Sequence, residues 1–217
     1  MTTELAGTVM VIDDDQAVRE AVNGLLRSVG LTVEIYASIQ EFLARGGLPE
    51  TACCLVLDVR LPGMSGLDFQ ADLQRHKVSL PIIFITGHGD IPMSVRAMKG
   101  GAIEFLTKPF RDQDLLDAIQ QALTLDQQRR AEERVLGELA ARHASLSGRE
   151  QEVMREVVTG LTNRQIATNL GIAEITVKVH RGQVMRKMNA QSVVDLARMA
   201  DRLGIRSETP VTRTARA

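Results

Sequence analysis

Short, largely apolar runs punctuate residues 1–125, and amphipathic stretches separate them. Strands are predicted at Val9–Ile12, Thr32–Tyr36, Cys54–Leu57, Ile82–Ile85 and Ile103–Leu106. Helices are predicted near Gln16–Val29, Ile39–Ala44, Gly66–Arg75, Pro92–Lys99 and Asp112–Leu123. Runs that are apolar at successive positions suit strands buried on both faces, and their alternation with helices predicts a doubly wound parallel sheet. Pro49, Pro62-Gly63, Pro81 and Gly100-Gly101 supply the breaks.

The pattern then changes. Residues 124–145 are charged, alanine-rich and free of proline, with Val135, Leu136, Leu139 and His143 at helical spacing. They predict a helical linker, either solvated or paired as a short coiled coil. From Leu146 onward the periodicity is purely helical. Ser147-Gly148-Arg149-Glu150 and Thr162-Asn163-Arg164-Gln165 read as capping boxes, Gly160 and Gly171 as helix ends, and Ser192 as the cap of a last helix. Four helices over residues 146–204 form a second, all-α domain, and residues 205–217 read as a disordered tail.

Composition sharpens this division. Residues 1–125 carry 10 Lys/Arg and 16 Asp/Glu, net −6, whereas residues 147–203 carry 9 and 6, net +3. An acidic front and a basic back suggest modules with different partners. No apolar run approaches the ~20 residues of a membrane span. Met1–Gly7 lacks the basic and apolar regions of a secretory signal. The two cysteines, Cys53 and Cys54, are adjacent and make no disulfide framework. A cytoplasmic protein without a membrane partner is expected.

Three predicted strands end on chemistry. One runs into Asp13-Asp14-Asp15, one into Asp58, and one into Lys108-Pro109. In open α/β sheets ligands bind beyond the carboxyl ends of strands, so these groups share one edge. Mg²⁺ takes oxygen ligands and few carboxylates. Asp13, Asp14, Asp58 and the backbone carbonyl of Arg60 are its candidate ligands. A carboxylate can also act as a nucleophile toward phosphorus, and the anionic group then needs a cation and a lysine around it. Asp58 is the candidate nucleophile, with Lys108 stabilising charge. Thr86 ends the fourth strand and can donate its hydroxyl to a phosphoryl oxygen, and Gly87 leaves the approach open.

Residues 8–123 resemble the receiver domain of two-component response regulators. The resemblance rests on Val11-Ile12-Asp13-Asp14-Asp15, Leu55-Val56-Leu57-Asp58, Leu61-Pro62-Gly63-Met64-Ser65-Gly66, Phe84-Ile85-Thr86-Gly87 and Phe105-Leu106-Thr107-Lys108-Pro109-Phe110. It implies strand order 2-1-3-4-5, phosphorylation of Asp58 by a sensor histidine kinase, a cis peptide at Lys108-Pro109, and a switch role for Phe105. A dimer face on phosphorylation is expected around Met93, Arg96 and Lys99, the alternative being that Met93, Val95 and Met98 are simply core.

In the basic module, Thr162–Leu170, a turn at Gly171-Ile172-Ala173 and Glu174–Met188 have the helix-turn-helix pattern, whose second helix enters the major groove. Val177, Val184 and Met188 form its inward stripe, with His180 on the same side as a packed or capping residue. Lys178, Val179 and Gly182 point outward, with Arg181 flanking. Lys178 suits a guanine edge and Val179 a thymine methyl. Asn163, Thr176, Arg186 and Lys187 suit phosphates.

Leu146-Ser147-Gly148-Arg149-Glu150, Asn163-Arg164-Gln165-Ile166-Ala167 and Thr176-Val177-Lys178-Val179-His180 resemble the LuxR-type DNA-binding domain. Gly182 departs from relatives that carry a basic or polar side chain there. Together the two resemblances imply a FixJ/NarL-class transcription regulator, closest in appearance to FixJ-like and StyR-like members. Its partners would be a kinase, promoter DNA, a second copy of the chain and, as a further candidate, RNA polymerase. Two readings from other classes compete: a protein-binding helical module, and a phosphatase with an aspartyl nucleophile. The phosphatase ranks last because Arg60 stands where an Asp-x-Asp pattern needs a second acid.

Overall fold

In a computed structural model, which describes residues 7–205, all five predicted strands form and pair in parallel in the order β2-β1-β3-β4-β5. The strands are β1 (Thr8–Ile12), β2 (Thr32–Tyr36), β3 (Cys53–Asp58), β4 (Ile82–Thr86) and β5 (Glu104–Thr107). Between them lie α1 (Gln16–Ser28), α2 (Ile39–Ala44), α3 (Gly66–Arg75) and α4 (Ile91–Lys99). Val9, Val11, Cys54, Val56, Ile83 and Ile85 face one side with Val22 and Leu26 of α1. Met10, Ile12, Leu55, Leu57 and Phe84 face the other, against Phe42, Leu67, Phe69 and Ala97 of α2, α3 and α4. Side chains alternate along a strand, so a run apolar at every position fills two cores at once.

The last helix of this unit departs from the predicted boundaries. Helix α5 runs without interruption over Asp112–Ala144, with Leu115, Ile119 and Leu123 packed on the α1 side of the sheet. A helix ending near Leu123 and a separate linker are therefore one element. No proline follows to stop it, and alanine, glutamine, glutamate and arginine all propagate helix well. The chain divides into two compact units between Ala131 and Glu132, inside α5.

The second unit holds the four predicted helices: α6 (Gly148–Val158), α7 (Asn163–Leu170), α8 (Glu174–Met188) and α9 (Val193–Arg202). Both capping boxes close as predicted, at Ser147/Glu150 and Thr162/Gln165. Ser192 accepts a hydrogen bond from the Asp195 amide. Gly171 ends α7 in the left-handed conformation, where its lack of a Cβ removes the strain. Val153, Met154, Ile166, Val177, Val184, Met188 and Leu196 form the core. The predicted tail, from Arg206 onward, lies outside the described residues.

Candidate functional site

Strand register sets the first site. Ile12 pairs with Leu57, Asp58 with Ile85, and Thr86 with Thr107. Asp13, Asp58, Thr86 and Lys108 therefore reach the same sheet edge. Lys108 Nζ donates to Asp13 Oδ2 at 2.5 Å and to Asp58 Oδ2 at 2.9 Å. The other oxygens are also held: the Asp15 amide donates to Asp13 Oδ1 at 2.9 Å, and the Arg60 amide to Asp58 Oδ1 at 3.0 Å. Asp13 is fully buried and Asp58 nearly so, while Asp14 is exposed.

Burial lifts the Asp13 carboxyl above its ordinary range, against the pull of Lys108 and the Asp15 amide. Burial also opposes the charge on Lys108, yet its hydrogen bonds to Asp13 and Asp58 carry its amine above the usual lysine value. Both directions describe one crowded site. Two acids share a single amine, so the deeper acid is short of positive charge while the amine has partners in excess.

Ligand atoms of Asp13, Asp14 and Asp58 lie within 4.8 Å of one another. This all-oxygen donor set, short of positive charge, fits a small hard divalent cation.

Thr86 is buried, and its hydroxyl accepts the His88 amide at 3.3 Å. The Lys108 amide donates to the Thr86 carbonyl at 2.8 Å, and the Lys108–Pro109 bond is cis. The half-buried Phe105 ring packs against Phe84, with centroids 6.3 Å apart.

Three residues of this neighbourhood escaped sequence reasoning. A Cβ at Gly66 would stand 2.3 Å from the Asp58 carbonyl oxygen. One at Gly89 would stand 2.9 Å from the Phe105 ring and 3.1 Å from the methyls of Thr86 and Thr107. Arg19 donates to the Asp13 carbonyl at 2.6 Å. Gly66 lay within a quoted motif, but only coordinates reveal close approach. An arginine on an amphipathic helix gives no signal at all.

The residues of the anticipated dimer face differ in their surroundings. Met93 packs partly into the core, and Arg96 pairs with Asp68 at 2.7 Å. Lys99 is exposed. The apolar side chains that α4 leaves in water are Ile91, Val95 and Met98, so Val95 and Met98 are not core. Their spacing of four and then three residues puts them on one helical face.

In the second unit, Lys178, Val179, Gly182 and Arg186 are exposed on α8, opposite its buried stripe. Thr176 and His180 are half-buried. Arg181 donates to Asn163 Oδ1 at 3.0 Å, joining α7 to α8. Lys187 is committed inward: its amine donates to Glu150 at 2.6 Å and to the Ser145 carbonyl at 3.2 Å. The helix period marks which residues face out, but it cannot show which of them find an internal partner.

Residues 9–120 match the model of the response regulator receiver domain, and residues 144–200 match that of bacterial regulatory proteins of the luxR family. The chain is 55% identical over 197 residues to nodulation protein W of Bradyrhizobium diazoefficiens, covering 91% of this chain and 86% of that one. It is 42% identical over 206 residues to the transcriptional regulatory protein FixJ of the same organism, covering 94% and 98%. The solved structure of the response regulator StyR superposes with a TM-score of 0.82 at 51% identity, covering 90% of this chain and 98% of that one. The fold, the paired domains and these relatives agree that the chain belongs to the two-component response regulators that join a receiver to a LuxR-type DNA-binding domain, the FixJ-like transcription regulators.

Proposed function

We propose that Asp58 accepts a phosphoryl group from a phosphohistidine on a sensor kinase. A carboxylate oxygen attacks phosphorus, the P–N bond breaks, and the imidazole nitrogen keeps the electron pair and takes up a proton. Asp13, Asp14, Asp58 and the Arg60 carbonyl would hold Mg²⁺, which when bound offsets charge on the transferring oxygens. Lys108 keeps its ammonium beside Asp58 and follows the new anion. Thr86 gives up the His88 amide to donate its hydroxyl to a phosphoryl oxygen, and Phe105 moves with it. The observation that carries this reading is one ammonium touching both Asp13 and Asp58 from a third strand end.

Phosphorylation adds about two negative charges. In this reading it favours a homodimer through the α4 face of Ile91, Val95 and Met98, flanked by Lys99. Two basic modules then bind paired half-sites of promoter DNA in the cytoplasm, where RNA polymerase is the further partner. Lys178 and Val179 face base edges, and Arg186, Thr176 and the Asn163–Arg181 pair face phosphates. Incubation with a small-molecule phosphodonor and Mg²⁺ tests the first step. The wild-type chain becomes labelled and Asp58→Asn does not. Full labelling of the variant would move the phosphoacceptor elsewhere.

A further inference from the structure

Helix α8 presents two opposite faces. Val177, Val184 and Met188 are fully buried. At 3.6 residues per turn, positions 175, 179, 182 and 186 fall on the far side. Ile175 is 67% exposed and Val179 is 56% exposed. Neither branched side chain joins the core of its unit, and β-branching does not favour helix.

Gly182 is stranger still. It stands inside the helix, where glycine is the poorest residue after proline. Its φ is not positive, and a Cβ built there meets nothing within 4 Å. Neither backbone conformation nor internal crowding asks for glycine at this position. Exposed Lys178 borders the stripe, and exposed Arg186 ends it. The surface is thus an apolar strip with a gap, bracketed by cations.

That combination matches one feature of the major groove. The thymine C5-methyl is the apolar group presented there, and a guanine edge beside it takes a lysine. Resting on the DNA-binding reading above, we propose that Ile175 and Val179 together read thymine methyls, while Gly182 lets the backbone of α8 settle close to the base edges. The ligand is a half-site with at least two thymines beside a guanine.

The test uses the full chain and a duplex selected by it from a randomised pool. The same duplex is then made with deoxyuridine in place of thymidine, which removes the methyls and preserves pairing and charge. The expected loss of affinity is about fourfold for each contacted methyl. In Ile175→Ala and Val179→Ala the ratio between the two duplexes falls toward one. Gly182→Ala binds both duplexes more weakly without a lower melting temperature. Tight and equal binding of both duplexes by the wild type overturns this inference and leaves DNA binding standing. Equal losses on both duplexes in the two alanine variants also overturn it, because those side chains would then touch only sugar and phosphate. Failure to enrich any duplex overturns both readings.

Discussion

Gly66 begins α3 directly against the carbonyl of Asp58, and a methyl group on its Cα would stand 2.3 Å from that oxygen. The Gly66 amide also donates to the Val59 carbonyl at 3.0 Å. The helix start is thereby docked on the strand end that carries Asp58. Gly66→Ala must push the two apart. Overpacking of this kind costs about 1–3 kcal/mol. Urea denaturation should show that loss, and labelling from a phosphodonor should slow. Unchanged values for both would mean that the loop yields freely.

Asp126 anchors α5 to the beginning of β3. Its buried carboxylate accepts the Cys53 amide at 2.9 Å and Arg130 Nε at 2.6 Å, and it also pairs with Arg129. Burial works against its charge, but these partners hold its carboxyl below the usual range. Asp126→Ala leaves the Cys53 amide unsatisfied and two arginines without this carboxylate. Both arginines keep some contact with water, so the loss sits at the low end for a broken buried pair, about 3 kcal/mol. Chemical denaturation of the variant measures it.

The Lys187 hydrogen bond, followed by the Ser147 amide, holds the Glu150 carboxyl below its ordinary value of 4.5. A depressed folded-state pKa stabilises the fold above the unfolded value, and that contribution disappears as pH falls through the folded one. Melting temperatures should therefore fall below about pH 4.5 more steeply in the wild type than in Glu150→Gln. Glutamine keeps the capping geometry and removes the charge. Parallel curves would show that the pair contributes nothing.

Lys178 and Lys187 lie on the same helix but should behave differently. Lys178→Ala weakens binding to a selected site more than to random DNA, as expected of a base contact. Lys187→Ala, whose amine is engaged by Glu150, lowers the melting temperature and changes the salt slope little. Titrations at several salt concentrations separate the two.

Most of the fold was legible because continuous apolar runs and period-3.6 patterns seldom overlap here. Neighbours such as Val56 and Leu57, which face opposite cores, announced a sheet covered on both sides. Asp13, Asp58, Thr86 and Lys108 could be placed because strand ends in a parallel sheet share an edge. The continuation of α5 past Leu123 was missed, since a boundary without proline or glycine leaves no mark. Asp126 looked like one more charge in a solvated stretch, although it is among the most buried acids of the chain. Engagement of Arg96 by Asp68 and of Lys187 by Glu150 was equally invisible. Partners on other helices are a tertiary fact.

The acids at 13 and 58 stand side by side because β1 and β3 are aligned so that Ile12 meets Leu57. A slip of one residue between those strands would turn every side chain of β1 to the opposite core and carry Asp13 away from Lys108. No partly zipped sheet can offer the complete pocket. A chain caught misaligned has no paired acids around Lys108, so the pocket exists only in molecules that have finished folding.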